Sequence, residues 1–513
     1  MELSTVTYYL IISVTLIYFF SKYKFSYWSK KKVLYPEPTF PYGNLKQTLK
    51  ENVPFSSIIS QSYDKAKSKG HKFFGVYKFW IPSFVPVDLD LIKLILHKDF
   101  TYFTDRGVFV DEENDPLTGN LFNLQEHKWR NMRQKLTPTF TSGKMKMMFQ
   151  TMVVCTKHLD EILKEYASIN EPVEFKDLLA RFTTDIIGNV GFGIEINSMK
   201  DPDSEFRKEG IKAFEFSISA KIKLFLIMVL PPWLLKKFNI SFHSAKSINF
   251  FINLVEKTVA YREKNNVFRK DFIHLMIQLK NFGRVTDLDE STLMNKEKPS
   301  VEGITINEMA AQAFVFFLAG FETSATTMTF ALIELGQNMD IQEKVREEIK
   351  RIIEKYNNEI TYDGIMEMEY LEKVVSETLR KHPPLPLIPR TCTKDYNIPG
   401  TDVVIESGTT VEIPTLSIQR DPEYYPDPDK FDPERFNAEN KANRHPYAYI
   451  PFGEGPRICI GVRLGKLQVK VGLCSILSKY RITINKKTAL PIKYNPGLIS
   501  TVKGGVYLNL ESV

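Results

Sequence analysis

Phe452-Gly-Glu-Gly-Pro-Arg-Ile-Cys-Ile-Gly461 decides how the rest of this chain is read. It sets one cysteine, Cys459, in a Gly/Pro-rich loop, and an amphipathic stretch, Val462 to Leu477, follows. A cysteine at a helix N-terminus beside an arginine is a thiolate site. The helix dipole and Arg457 both favour the anion, so the thiol is expected to titrate below its ordinary value of about 8.5. Gly455 and Gly461 carry no Cβ, so the backbone can turn tightly and approach something flat and bulky. A lone thiolate with clearance around it suits the axial ligand of a haem iron. The plain alternative is a buried structural cysteine in a helix-capping loop.

Phe452, Gly455, Arg457, Cys459 and Gly461 match the signature Phe-x-x-Gly-x-Arg-x-Cys-x-Gly at every fixed position, and on these residues the chain resembles the cytochrome P-450 family. The phrases Phe316-Phe-Leu-Ala-Gly-Phe-Glu-Thr323, Asp395-Tyr-Asn-Ile-Pro-Gly-Thr401 and Arg444-His-Pro-Tyr-Ala-Tyr-Ile-Pro-Phe452 resemble the insect microsomal branch, family six. The resemblance runs from about residue 35 to the end. It implies a mainly α fold with a small β-rich part, haem b (iron protoporphyrin IX) as cofactor, and Cys459 as axial ligand to the iron.

The other motifs are read beside this resemblance. Thr305-Ile-Asn-Glu308 is a capping box ahead of a hydrophobic run, so a long helix is expected to start there. Inside it, Gly320 and Thr323 both lower helix propensity. Gly320 would leave room for a diatomic ligand, and Thr323 and Glu322 would deliver protons. They match the family's distal acid–alcohol pair; an ordinary buried helix with a tolerated glycine is the other reading. Trp129 and Arg133 stand at i and i+4 and share one helix face. The resemblance makes them donors to a haem propionate, with Arg457, Arg390 and Arg106 as further partners. For Arg106 an exposed surface arginine is equally open. Phe452 and Gly320 complete the expected cofactor contacts. Glu377 and Arg380 are an i, i+3 ion pair. With Arg435 the resemblance makes them a buried network holding the cysteine loop, structural rather than catalytic.

Composition agrees. The chain has 513 residues, 43% hydrophobic, enough for a large core. Cys155, Cys392, Cys459 and Cys474 show neither disulfide nor zinc spacing, which suits a reducing compartment. The net charge of +7 comes without basic tracts interleaved with aromatics, so no nucleic-acid partner is expected. Lys128, Arg130, Lys135, Arg463, Lys466 and Lys470 suggest a basic docking face for an acidic electron donor, or simply a solvated face. Gly188-Asn-Val-Gly-Phe-Gly193 lacks the G-x-G-x-x-G spacing and is not a dinucleotide loop.

Leu3 to Ser21 is uncharged and, at about 1.5 Å per residue, would make a helix about 28 Å long, near the thickness of a bilayer core. Lys22, Lys24 and Lys30-Lys31-Lys32 follow it, which places the body on the cytosolic side. A cleaved signal peptide would carry its charge before the apolar run. We therefore expect a transmembrane anchor at 1–21, a basic and proline-rich hinge at 22–44, and one haem-binding monooxygenase domain at 45–513. The apolar block Lys221 to Lys237 is either a buried helix or an interfacial one. Asn281 to Gly303 reads as a surface loop. Short β-like runs fall at 72–79, 403–413 and near the C-terminus.

The resemblance implies insertion of one oxygen atom from O2 into a lipophilic small molecule, a xenobiotic or an endogenous lipid or hormone. Electrons would come from NADPH through a cytochrome reductase, with cytochrome b5 as a second donor, at the endoplasmic reticulum membrane. The rivals are a haem-thiolate isomerase or dehydratase, which commonly lacks the acid–alcohol pair, and a non-catalytic haem sensor.

Overall fold

The computed structural model describes residues 3–212, 218–285 and 303–513. The expected surface loop at 281–303 lies mostly outside the described residues. The helices used below are α1 (Leu3–Phe25), α2 (Tyr27–Lys30), α3 (Glu126–Leu136), α4 (Phe175–Ile187), α5 (Glu205–Lys212), α6 (Ile218–Val229), α7 (Pro232–Lys237), α8 (Ala245–Asn265), α9 (Ile306–Gln337), α10 (Glu369–Lys381) and α11 (Val462–Leu477). The strands are β1 (Phe73–Lys78), β2 (Ile81–Pro86), β3 (Val173–Glu174), β4 (Ile388–Thr391), β5 (Tyr396–Asn397), β6 (Val404–Ile405), β7 (Thr410–Ile413), β8 (Tyr480–Ile484) and β9 (Tyr507–Ser512). Where the sequence suggested one unit from residue 45, the chain contributes to two compact units. One comprises Met1–Gly107, Leu379–Cys459 and Leu490–Lys503; the other comprises Val108–Thr378, Ile460–Ala489 and Gly504–Val513.

The first unit is organised by a four-stranded sheet in the order β1-β2-β7-β4. β1 and β2 form an antiparallel hairpin, with Phe73 opposite Pro86, and β2 runs parallel to β7. β1 and the run at β6–β7 are the expected ones. β2 and β4 were not anticipated, because Pro82, Pro86 and Pro389 blunt the strand signal. The segment expected as a spacer is bound to this sheet. Trp28 is fully buried, and its indole Nε1–H donates to the Val76 carbonyl at 3.1 Å. A Cβ on Gly75 would collide with the Trp28 ring, which is why glycine sits in the middle of β1. The Gly75 N–H donates to the Leu34 carbonyl at 2.8 Å, and Asn44 Oδ1 accepts from the Tyr77 N–H at 2.7 Å.

The second unit is built around α9, 32 residues long. Its capping box forms as expected: the Thr305 N–H donates to Glu308 Oε2 at 2.7 Å, and the Glu308 N–H donates to Thr305 Oγ1 at 3.1 Å. α9 is long and apolar enough to cross a membrane, but 67% of its apolar window is buried, so it is the core helix. Phe192, Phe206, Phe251, Phe314 and Phe317 pack edge-to-face or tilted around it, and Phe317 stacks on Phe321. These rings are core. Of the phenylalanines of α9, only Phe316 is not buried. The Gly-rich turn at 188–193 is structural: Gly193 has φ +64, and a Cβ there would strike the buried Arg262–Asp271 ion pair. A second sheet, β3-β9-β8, lies in this unit.

Helices α6 and α7 are not core helices. Ile222 and Trp233 are exposed and Leu235 is buried, so the 221–237 block is covered only in part. α1 likewise exposes large apolar side chains, among them Tyr8, Ile11, Leu16, Phe19 and Tyr23, while Ser21 is buried.

Trp28→Ala is expected to lower the apparent melting temperature of the full-length protein by several degrees, since truncating a fully buried tryptophan costs about 3–5 kcal/mol. An unchanged melting curve would show that the segment merely rests on the sheet.

Candidate active site

The cysteine loop belongs to the first unit. Pro456 opens a short 3-10 turn, Gly455–Arg457, and Gly453 and Gly455 adopt φ +74 and +73. The Cys459 N–H donates to the Phe452 carbonyl at 3.0 Å, closing the loop. Gly455 does not provide clearance for a cofactor. A Cβ there would strike the Leu96 carbonyl oxygen, so the turn and its packing explain this glycine. Gly461 does have clearance, with nothing within 4 Å of a Cβ built on it. α11 starts at Val462, as the loop reading required.

Cys459 is exposed, whereas Cys155, Cys392 and Cys474 are buried. Burial pushes those three thiols up to about 12, 11 and 12. Only Cys459 combines an accessible sulfur with a loop that presents it. Among the described residues no group of three or more His, Cys, Asp and Glu is placed to hold a metal ion. An iron at Cys459 would need most of its ligands from its own ring.

Three arginines gather in the same unit. Arg390, on β4, is wholly buried; its Nη1–H donates to the Pro389 carbonyl at 2.8 Å, while Nε and Nη2 have no partner. Burial first, then the nearby Arg106 and Arg457 cations, holds its pKa well below the usual arginine value. Arg106 is half-buried and donates to the Arg457 carbonyl at 3.2 Å, so it is not a free surface residue. Arg457 is buried with Asp105 at 3.6 Å. The two unpartnered nitrogens of the wholly buried Arg390, with Arg106 and Arg457 beside it, suit an anionic group. The two propionates of haem fit that demand, and arginine's planar fork suits carboxylates.

Below the loop, Arg380 is wholly buried and donates to the Gln419 carbonyl at 3.0 Å and the Lys430 carbonyl at 3.3 Å. Gln419 returns its amide to the Leu379 and Arg380 carbonyls at 2.9 and 3.0 Å, and its Oε1 accepts from the Ile450 N–H at 3.0 Å. The Tyr425 ring lies between the Arg380 and Arg444 guanidiniums, 5.2 and 4.7 Å from its centroid. Arg435 donates to the Pro426 and Asp427 carbonyls at 2.6 and 2.9 Å. Glu377 and Arg380 lie three residues apart on α10, both without solvent exposure. Gln419 escaped sequence reasoning, because a glutamine in a short helix carries no motif.

In the second unit, Ala319 is the one exposed residue of α9 between Met309 and Leu335. One turn on, Glu322 and Thr323 are half-buried. The core helix is therefore uncovered at the expected acid–alcohol pair. The Thr323 hydroxyl donates to the Ala319 carbonyl, and burial pushes the Glu322 carboxyl up, partly countered by the Lys176 and Arg207 cations. At Gly320 a Cβ would come within 2.6 Å of the Ile187 side chain, so this glycine also eases the packing of α4. The Gln468 amide donates to the Gly320 carbonyl at 3.4 Å. Trp129 and Arg133 do share α3, buried and half-buried. The expected basic face loses Lys470, which is buried 3.7 Å from Glu372; Lys466 binds the same carboxylate at 2.6 Å, and Lys128 pairs with Glu112 at 2.8 Å.

Comparison with known proteins places these features in context. The family model described as Cytochrome P450 matches residues 35–509. Three relatives from Drosophila melanogaster are similar over nearly the whole chain. "Probable cytochrome P450 6a14" is 43% identical over 507 residues, covering 95% of this chain and 96% of its own length. "Cytochrome P450 6a2" is 41% identical, covering 98% and 99%, and "Cytochrome P450 6a9" is 42% identical, covering 95% of each.

Arg390→Leu is expected to raise the melting temperature of the haem-free protein, because it removes a buried charge that lacks a counterion. The same change is expected to speed haem loss to a scavenger globin by about tenfold or more, since a charge-assisted bond is worth about 1.5–3 kcal/mol. Unchanged haem retention would remove Arg390 from the cofactor contacts.

Proposed function

This chain belongs to the cytochrome P450 family, and on that premise we propose that it oxidises a small lipophilic molecule, xenobiotic or endogenous, with electrons from NADPH through a membrane-bound reductase. The enzyme is a monooxygenase, and its haem is bound through a cysteine thiolate. The observation that carries the assignment of that thiolate is the first unit itself, where the one exposed thiol and the arginine cluster lie on the same framework. When bound, haem supplies oxygen activation, and a thiolate ligand favours O–O cleavage. Cys459 would be that ligand. Arg106, Arg390 and Arg457 would neutralise the propionates, with Trp129 and Arg133 as further donors.

Proton delivery falls to Glu322 and Thr323. A carboxyl raised by burial holds its proton nearer neutral pH than a surface glutamate, so it can act as a donor and be refilled from solvent. The Thr323 hydroxyl, now turned to the Ala319 carbonyl, can rotate to pass a proton on. This pair favours oxygen insertion over rearrangement of a peroxide, which needs no proton supply.

For location, the reading is a single-pass endoplasmic reticulum protein with the catalytic body on the cytosolic side. Its support is the exposed apolar length of α1 followed by Lys22, Lys24 and Lys30 to Lys32. Exposed Trp233 and Phe238, beside Lys236 and Lys237, suit a second, interfacial contact. Arg463, exposed on α11, and Arg130 remain as docking charges for an acidic reductase or cytochrome b5.

Cys459→Ala is expected to abolish the strongly red-shifted Soret band of the reduced CO complex; an unchanged spectrum would overturn the ligand assignment. With reductase and a turned-over substrate, Thr323→Ala is expected to keep the haem while hydrogen peroxide released per NADPH rises several-fold. Product formation still tightly coupled to NADPH would remove Thr323 from the proton path.

A further inference from the structure

Residues 111–124 run through the second unit as a connected stretch with little regular structure, yet most of them are buried. Such a segment is ordinarily mobile unless its polar groups are satisfied. Here they are. The Asp111 N–H donates to Thr118 Oγ1 at 2.9 Å, and that hydroxyl donates to the Asp115 carbonyl at 2.7 Å. From α9, Gln312 Oε1 accepts from the Leu121 N–H at 2.8 Å and its amide donates to the Gly119 carbonyl at 3.1 Å. The strongest tie is to residues ahead of α8. The His243 N–H donates to Asp115 Oδ2 at 2.9 Å, and His243 Nδ1 lies 3.0 Å from both carboxylate oxygens. Asp115 has no solvent exposure, and the His243 ring stands edge-on to Phe314 of α9, 4.9 Å between centroids.

A carboxylate only accepts, so Nδ1 must carry a proton, and neutral imidazole satisfies the bond as well as imidazolium does. The pair therefore joins three elements without needing a charged histidine: the 111–124 segment, the residues entering α8, and α9. The junction sits on α9 at Gln312 and Phe314, between one and two turns before Ala319, where the core helix becomes exposed. Downstream, the segment leads directly into α3 with Trp129 and Arg133.

We propose that Asp115 and His243 are positioning residues that lock segment 111–124 onto α9, making it a preorganised wall for bulky ligands of the uncovered stretch at Ala319. The proposal rests on the haem-thiolate reading of this protein. A wall already ordered adds contact area without an ordering cost on binding. Once released, it must be re-ordered by each ligand large enough to touch it.

The test uses full-length holoprotein and two iron-coordinating probes of different bulk, imidazole and clotrimazole, titrated by their optical difference spectra. In Asp115→Ala and in His243→Ala the Kd for clotrimazole is expected to rise about tenfold, while that for imidazole stays within about twofold. The double variant should add little, because both changes break one interaction. His243→Asn, which keeps an N–H donor toward Asp115, should restore most of the selectivity. Hydrogen exchange read on peptides from 111–124 should be slow in the native protein and fast in both alanine variants. A clotrimazole-to-imidazole ratio that is unchanged, or moves the other way, in variants retaining the reduced-CO band overturns the proposal. If the alanine variants lose haem, the native protein decides: rapid exchange across 111–124 overturns the lock, and slow exchange supports it. A native protein without the red-shifted CO band would strike the haem-thiolate reading instead, while the exchange data would still judge the lock.

Discussion

The strongest constraint in the first unit is a cluster of three arginines, one of them wholly buried. Arg390 sits without solvent exposure on β4, and two of its three guanidinium nitrogens have no partner. Arg106 and Arg457 add positive charge beside it, against the single carboxylate of Asp105. An uncompensated buried cation is among the costlier arrangements a fold can hold. It makes sense where an anionic ligand belongs to the native state, the role proposed for the cofactor's carboxylates.

A second framework keeps the cysteine loop in place. Arg380, Gln419 and Tyr425 fill the interior with donors and aromatic faces, and they bond the backbone carbonyls of Gln419, Lys430, Leu379, Arg380 and Ala448 and the Ile450 N–H. Backbone anchoring fixes the chain path itself, and the loop's two left-handed glycines then turn Cys459 outward. The other three cysteines occupy apolar interiors where a thiolate is strongly disfavoured. One thiol is singled out by where the backbone places it, not by its chemistry in isolation.

Much of this was legible in the chain. The cysteine loop, the helix after it, the capping box at Thr305, the β1 run and the shared face of Trp129 and Arg133 follow from local spacing and turn chemistry. Legibility stopped where a residue's reason lay in a distant neighbour. Gly455 was expected to clear space for a cofactor and instead accommodates the Leu96 carbonyl, and Gly320 lies against Ile187. Lys470 looked like part of a basic face and is buried against Glu372. The proline-rich segment looked like a spacer and is pinned through Trp28.

Local chemistry is encoded by residue type and spacing, so the sequence by itself determined the family, the capping box and the apolar N-terminal helix, and it singled out Cys459, Glu322 and Thr323 as candidates. Tertiary structure decided which cations lost their water, which glycines were packing requirements, and which loop was locked. Those outcomes depend on solvent exclusion and on close approach between residues hundreds of positions apart. Asp115 and His243 are an aspartate and a histidine with no motif between them; only the fold makes them a pair.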